Sequence, residues 1–212
     1  STSDPMNDPA GWTVQERIMA ICHYLAAVSD DGPDFSIGDD GHYSDYLDVD
    51  LGASIPALGE TVPIGIIGGD TWHIGHLTGA MAESVERLSG EIQGISGKLH
   101  WMLGCMAAQL QRDDETIPDA NDGAFDQFLI ERMRVFAGFP ESDFSSLLGA
   151  YMSGRERLHH LFKVEFSDNG LVAIPRGGAA SNLPSARFPV GSCLSQFARH
   201  MVAKSHEYGI KS

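Results

Sequence analysis

The residues that most constrain this chain are Ile74, Thr78, Met81, Val85, Leu88, Ile92, Ile95, Leu99, Met102 and Met106, which follow one another in alternating steps of four and three. An α-helix with one continuous apolar stripe has that spacing, and so narrow a stripe usually meets a partner helix. The pattern predicts one long central helix over 73–113. Met81, Val85, Leu88, Ile92, Ile95, Leu99, Met102 and Met106 become the expected oligomer interface of a homodimer or larger homo-oligomer. Whether the seam closes between chains or within one is left open by the spacing. Gly90, Gly97 and Gly104 recur every seven residues on the opposite face, with Gly94 beside them. Each mid-helix glycine costs about 1 kcal/mol relative to alanine, so this smooth face predicts either a second helix lying close or a break at Gly94 and Gly97. Glu91, Lys98 and His100 exclude a membrane span here, which needs about 20 apolar residues without charges.

A chain of 212 residues suits one domain or two small ones. The polar, acidic start, Ser1 to Pro9, lacks the basic-then-apolar order of a signal peptide. Cys22, Cys105 and Cys193 are too few and too scattered for a disulfide framework, which fits a reducing cytoplasm. The net charge of −15 is uneven. Residues 1–150 carry 6 Lys+Arg against 25 Asp+Glu, a balance of −19, whereas 151–212 carry 8 against 4, a balance of +4. Such asymmetry predicts two faces with different partners.

Local signals place the remaining elements. Thr13 and Glu16 form a capping box that opens a helix with Ile18, Ile21, Cys22 and Leu25 inward, fading at Ser29–Pro33. Phe35 and Ile37 lead through Gly38-Asp39-Asp40-Gly41 into Tyr43, Leu47, Val49 and Leu51, a period of two that predicts a β-hairpin with His42, Ser44, Tyr46, Asp48 and Asp50 facing water. Val62–Ile67 reads as a strand ending at Gly68-Gly69, with Asp70 or Thr71 capping the long helix. Asp113 to Gly123 reads as a linker. Phe125, Phe128, Leu129 and Phe136 share a helix face that stops near Gly138. Pro140 starts a second helix, with Phe144, Leu147 and Leu148 inward, that Gly149 stops. Ser153 and Glu156 form another capping box, and Asp168-Asn169-Gly170 is a hairpin turn between Val164–Phe166 and Leu171–Ile174. A glycine-rich flexible stretch, 177–182, precedes a last helix from about Ser192. The expected organisation is an acidic helix and hairpin region (1–72), an oligomerisation helix (73–113), a linker (114–123), a helical domain ending in a hairpin (124–176) and a terminal segment (177–212). The fold class is α+β, mostly helical.

Three short helices followed by a hairpin is also the succession of a winged helix-turn-helix, and the likeness reaches into residues. Phe144-Ser145-Ser146-Leu147-Leu148-Gly149 resembles the second helix and turn of this module in bacterial regulators. Ser153 to Lys163 is similar to its recognition helix, and Asn169-Gly170-Leu171-Val172 to the start of its wing. The stretch from Gly149 to Arg155 is longer than the usual tight turn. The resemblance covers about 124–176 and implies duplex DNA binding. Arg155, Arg157, His159 and His160 would approach base edges or phosphates, with Lys163 and Arg176 on the backbone. The central helix would supply the dimer for a two-fold site, making the chain a cytoplasmic regulator that needs no cofactor and no catalysis.

Two rival readings stand beside it. The −19 balance suits an acidic phage or mobile-element protein that blocks a basic protein surface, because carboxylates imitate a phosphate array. Alternatively His73 and His76, with Asp70, could share a metal in a small hydrolase that also uses His42. His76-Leu77-Thr78 and His42-Tyr43-Ser44 are superficially similar to paired phosphoesterase motifs. Gly65 to Gly69, placed between a strand and a helix, could receive a phosphate. Asp48 and Asp50 are spaced wrongly for a calcium loop.

Overall fold

The computed structural model describes residues 9–48, 50–167, 170–177 and 181–187. The fold is α+β, with seven helices and eight short strands among the described residues. The expected terminal helix from Ser192 lies outside them, as do Cys193, Asp168-Asn169 and residues 178–180 of the glycine-rich stretch. The strands form three antiparallel sheets, ordered β1-β2, β3-β4-β5 and β6-β7-β8. The chain divides into two compact units, residues 1–17 with 52–159, and residues 18–51 with 160–212.

The first unit begins at the N-terminal turn of α1 (Val14–Val28), where the Glu16 carboxylate accepts the Thr13 N–H at 2.7 Å and its hydroxyl at 2.8 Å. The unit continues through α3 (Leu51–Ala57), β3 (Val62–Ile67) and β4 (Asp70–Ile74). Gly68 and Gly69 turn β3 into β4 with φ of 65° and 92°, a region that favours glycine. β4 then pairs with β5 (Leu110–Arg112).

The long heptad helix is not formed. Ile74 closes a strand, and Thr78 rather than Asp70 or Thr71 caps α4 (Gly79–Arg87) by accepting the Met81 N–H. Helix resumes as α5 (Gly97–Gln109). Between them Gly90 and Gly94 take φ of 92° and 80°, and Gly97 takes 56°. Left-handed glycines end a helix by turning the chain out of the right-handed region, and here they fold the stripe back on itself. Val85, Leu88, Ile92, Ile95, Leu103 and Met106 consequently meet in this unit's own core. His100, buried, places Nε2 2.6 Å from the Val85 carbonyl, so that nitrogen carries the proton. Of the recurring glycines, Gly104 does admit a close neighbour: a Cβ there would stand 2.5 Å from a Val85 methyl.

The same core takes in α6 (Gly123–Ala137) and α7 (Glu141–Arg157) through Phe125, Leu129, Met133, Phe136, Leu147 and Tyr151. Asp122 caps α6 by accepting the Ala124 N–H at 3.0 Å, and Gly138 ends it. α7 corrects a second expectation. It runs unbroken through Gly149 and Ser153, so the two helices expected there are one. Gly149 lacks positive φ, and a right-handed glycine inside a helix lowers stability without stopping it. Ser153 is then an interior residue, not a cap.

The second unit holds the rest of α1 and β1 (Ser36–Ile37), β2 (Gly41–His42), α2 (Tyr43–Tyr46), β6 (Val164–Ser167), β7 (Gly170–Ala173) and β8 (Ala186–Arg187). β6 and β7 pair with Ser167 opposite Gly170, the register of the expected hairpin. The strand expected over 43–51 is not formed. Asp45 accepts the His42 N–H at 2.9 Å and Asp34 accepts the Ser44 N–H at 2.8 Å, bonds that wind Tyr43–Tyr46 into a helical turn. Tyr46, expected to face water, is buried with Tyr43, because residues three apart share a helix face. Leu161 and Phe162, expected on a helix, lie beyond it: Phe162 bridges Leu47, and the Leu161 carbonyl accepts the Asp48 N–H.

Candidate functional site

The residues expected to touch DNA fall into both units. Arg155, Arg157 and His159 belong to the first; His160, Lys163 and Arg176 belong to the second. Arg155 lies in the last turn of α7 with its guanidinium 5.8 Å from the Tyr151 ring centre. Arg157, in the same turn, donates to the Pro63 carbonyl of β3 at 2.5 Å. Arg176 is exposed, and its backbone N–H binds the Asp45 carbonyl at 2.9 Å. With α7 continuous, no turn separates a positioning helix from a recognition helix in 140–157.

The proposed metal ligands are also separated by their bonds. His73 Nδ1 lies 3.0 Å from an Asp113 oxygen, and Asp70 pairs with Arg112 at 3.3 Å. Among the described residues, no three His, Cys, Asp or Glu side chains are grouped to hold a metal ion. His42 sits on β2, and His76 on the connection from β4 to α4 rather than on a strand. Gly65–Gly69 joins two antiparallel strands, so no helix N-terminus follows it to receive a phosphate.

Of the eight expected interface residues, Val85, Leu88, Ile92, Ile95 and Met106 are buried, Met81 and Met102 are half-buried, and Leu99 is exposed. Five of them are therefore already committed to this unit's interior.

A different set of side chains is exposed in the second unit. Residues 18–51 contain eight aspartates, at positions 30, 31, 34, 39, 40, 45, 48 and 50, and no lysine or arginine. Asp30, Asp31, Asp34, Asp39, Asp40 and Asp50 are exposed. Alternation accounts for Asp34: Phe35 and Ile37 at β1 turn inward, so Asp34 and Ser36 point out. An aromatic stack anchors the segment, with Phe35 5.0 Å from Tyr43, and Phe162 6.1 Å and 6.2 Å from Tyr43 and Tyr46. Asp34 receives both the Ser44 N–H and its hydroxyl, the latter at 3.0 Å. The Tyr46 hydroxyl donates to the Pro184 carbonyl at 3.1 Å. Burial first, then the negative fields of Asp45 and Asp40, push the Tyr46 phenol above its ordinary pKa.

The surface is thus a set of carboxylates on a packed frame, able to receive ammonium and guanidinium groups and to repel phosphates. The balance of −19 over residues 1–150 signalled an acidic region. What spacing alone missed is the helical turn at 43–46, which buries Tyr43 and Tyr46 against the aromatic stack where a strand was expected. No helix among the described residues is long and apolar enough to cross a membrane. Comparison with family models, with curated proteins and with solved structures finds no match to this chain.

Proposed function

We propose that this protein is an acidic interaction protein that engages a basic surface on a partner protein through its aspartate-rich segment, residues 30–50. The observation that supports the reading is the display of six exposed aspartates without a single lysine or arginine in 18–51. Long-range attraction between opposite charges speeds encounter and selects against wrong partners. A pre-packed frame also lowers the ordering cost that a loose acidic tail would incur on binding. Catalysis has no part in this reading. Regulation by occupying duplex DNA draws less support, because it rested on a helix-turn-helix in a stretch where α7 is one helix.

The test is a titration of the whole chain with an arginine- and lysine-rich peptide and, separately, with a short DNA duplex, each across a range of salt concentrations. Binding of the peptide, with log affinity falling as log salt rises, is the expected result. Replacing Asp30, Asp31, Asp39 and Asp40 by Asn should abolish it. Replacing Asp114 and Asp119 in the other acidic stretch should leave it intact. Equal loss from both sets, or tighter binding of the duplex, would overturn the reading.

A further inference from the structure

The first unit carries a groove of about 510 Å³ that the acidic surface does not use. That volume lies in the range of small-molecule sites, about 300–1,000 Å³. Glu16 and Glu60 are the carboxylates of its lining, His76 is the third titratable group, and the lining contains no lysine or arginine. Thr13, Thr61, Thr78, Gln109 and Gln111 add neutral polar groups, and Ile55, Leu58, Met81 and Ile117 add apolar wall.

Two features of this wall decide what it accepts. Its polar groups are held in place. Gln109 donates to the Gly75 carbonyl at 2.8 Å and accepts the Tyr151 hydroxyl at 2.8 Å, while Glu16 is clamped through one oxygen by Thr13. The helix-terminal amides that could hold an anion, by contrast, are already taken. At the start of α4, the Gly79 N–H binds the Trp12 carbonyl, the Ala80 N–H binds the Ala10 carbonyl and the Met81 N–H binds the Thr78 hydroxyl. At the start of α1, the Val14 N–H binds the Leu77 carbonyl and the Glu16 N–H binds the Thr13 hydroxyl. A phosphate or carboxylate entering here would meet two negative charges and spent amides.

We infer that this groove binds a small organic cation, an alkylammonium or guanidinium compound, with its charged end between Glu16 and Glu60 and its alkyl part on the apolar wall. This is independent of the aspartate-rich surface, which belongs to the other unit. A cation of this class matches the lining on both counts: it supplies hydrogen-bond donors to carboxylate, amide and hydroxyl oxygens, and it brings methylene groups that gain from leaving water.

Three isosteric probes test this on the full chain: 1,4-diaminobutane, 1,4-butanediol and succinate, each titrated while backbone amide resonances are followed. The expected result is saturable binding of the diamine alone, with shifts centred on Thr13–Glu16, Gly75–Thr78 and Gln109–Gln111. Glu60→Gln should weaken it about fivefold, the range of a partly exposed charge pair. Thr61→Trp should block the groove and abolish binding without changing its charge. Asn at positions 30, 31, 39 and 40 should leave it unchanged. Equal binding of the diol or succinate would overturn the inference, as would diamine shifts elsewhere, indifference to both groove variants, or no saturable binding by a chain that remains folded.

Discussion

Arg132 Nη2 lies 3.1 Å from Glu115 Oε2, and both side chains are withdrawn from water, 7% and 15% exposed. The guanidinium carbon also lies 5.3 Å from the Trp72 ring centre, 5.2 Å from Phe128 and 5.5 Å from Phe136. Desolvation, only partly offset by the Glu115 charge, pulls the Arg132 pKa down to about 10, which still leaves it a cation at neutral pH. The pair ties the connection after β5 to α6. Glu115→Gln should therefore leave a buried, uncompensated charge and cost about 3 kcal/mol of stability. Urea unfolding followed by tryptophan fluorescence measures it; a loss below about 1 kcal/mol would show that the aromatic rings alone suffice.

Gly149 and Gly154 lie on the same helix and should respond in opposite directions. A Cβ at Gly154 would stand 2.5 Å and 2.9 Å from methyl groups of Ile64 and Ile74, whereas at Gly149 it meets open space. Gly154→Ala should destabilise by about 1–3 kcal/mol, as overpacking does. Gly149→Ala should stabilise by up to about 1 kcal/mol, because alanine is the better helix former. Thermal denaturation compares them, and destabilisation by Gly149→Ala would argue for a turn at that position.

The heptad residues should separate by burial rather than by their place in the repeat. Ile92 is 7% exposed and Leu99 42%. A carboxylate at 92 would be buried without a partner, so Ile92→Asp should abolish cooperative unfolding or lower the midpoint sharply. Leu99→Asp should change stability by less than about 1 kcal/mol. Light scattering on the Leu99 variant then reads assembly in a chain that still folds. A Leu99 variant that dissociates a wild-type oligomer would return the seam to an intermolecular role.

Asp126 and Arg87 provide a pH-dependent contribution of known sign. Arg87 donates to both Asp126 oxygens, at 2.9 Å and 2.8 Å, and this bonding holds the Asp126 carboxyl below the usual carboxylate range. A carboxyl with a depressed folded-state pKa stabilises above its unfolded pKa, about 4, and loses that contribution as pH falls through the folded value. Because the Arg87 side chain is 58% exposed, solvent screening limits the pair to about 0.5–1 kcal/mol. Asp126→Asn should cost that much at pH 7 and nothing once the wild-type carboxyl is protonated. A difference that persists undiminished at the lowest pH would assign it to packing instead.

Much of the local structure was legible because it depends on neighbours in the chain. The Thr13–Glu16 box opens α1, Val62–Ile67 forms a strand that ends at Gly68-Gly69, and α6 ends at Gly138. Each rests on backbone hydrogen-bond satisfaction or φ preference within a few residues, which residue identity governs directly. The −15 charge and its crowding before residue 151 were equally plain. Only the tertiary structure decided how apolar periodicity is used. Steps of four and three identify which side chains leave water, and burial is satisfied whether they meet a second copy along one straight helix or one another across a fold. Gly90 and Gly94, turned to positive φ, fold the stripe into its own core, while Gly149, in open space and right-handed, lets α7 continue. Glycine permits both conformations at small cost. The choice between them is made by contacts distant in sequence, such as Val85 on Gly104 and Ile64 on Gly154.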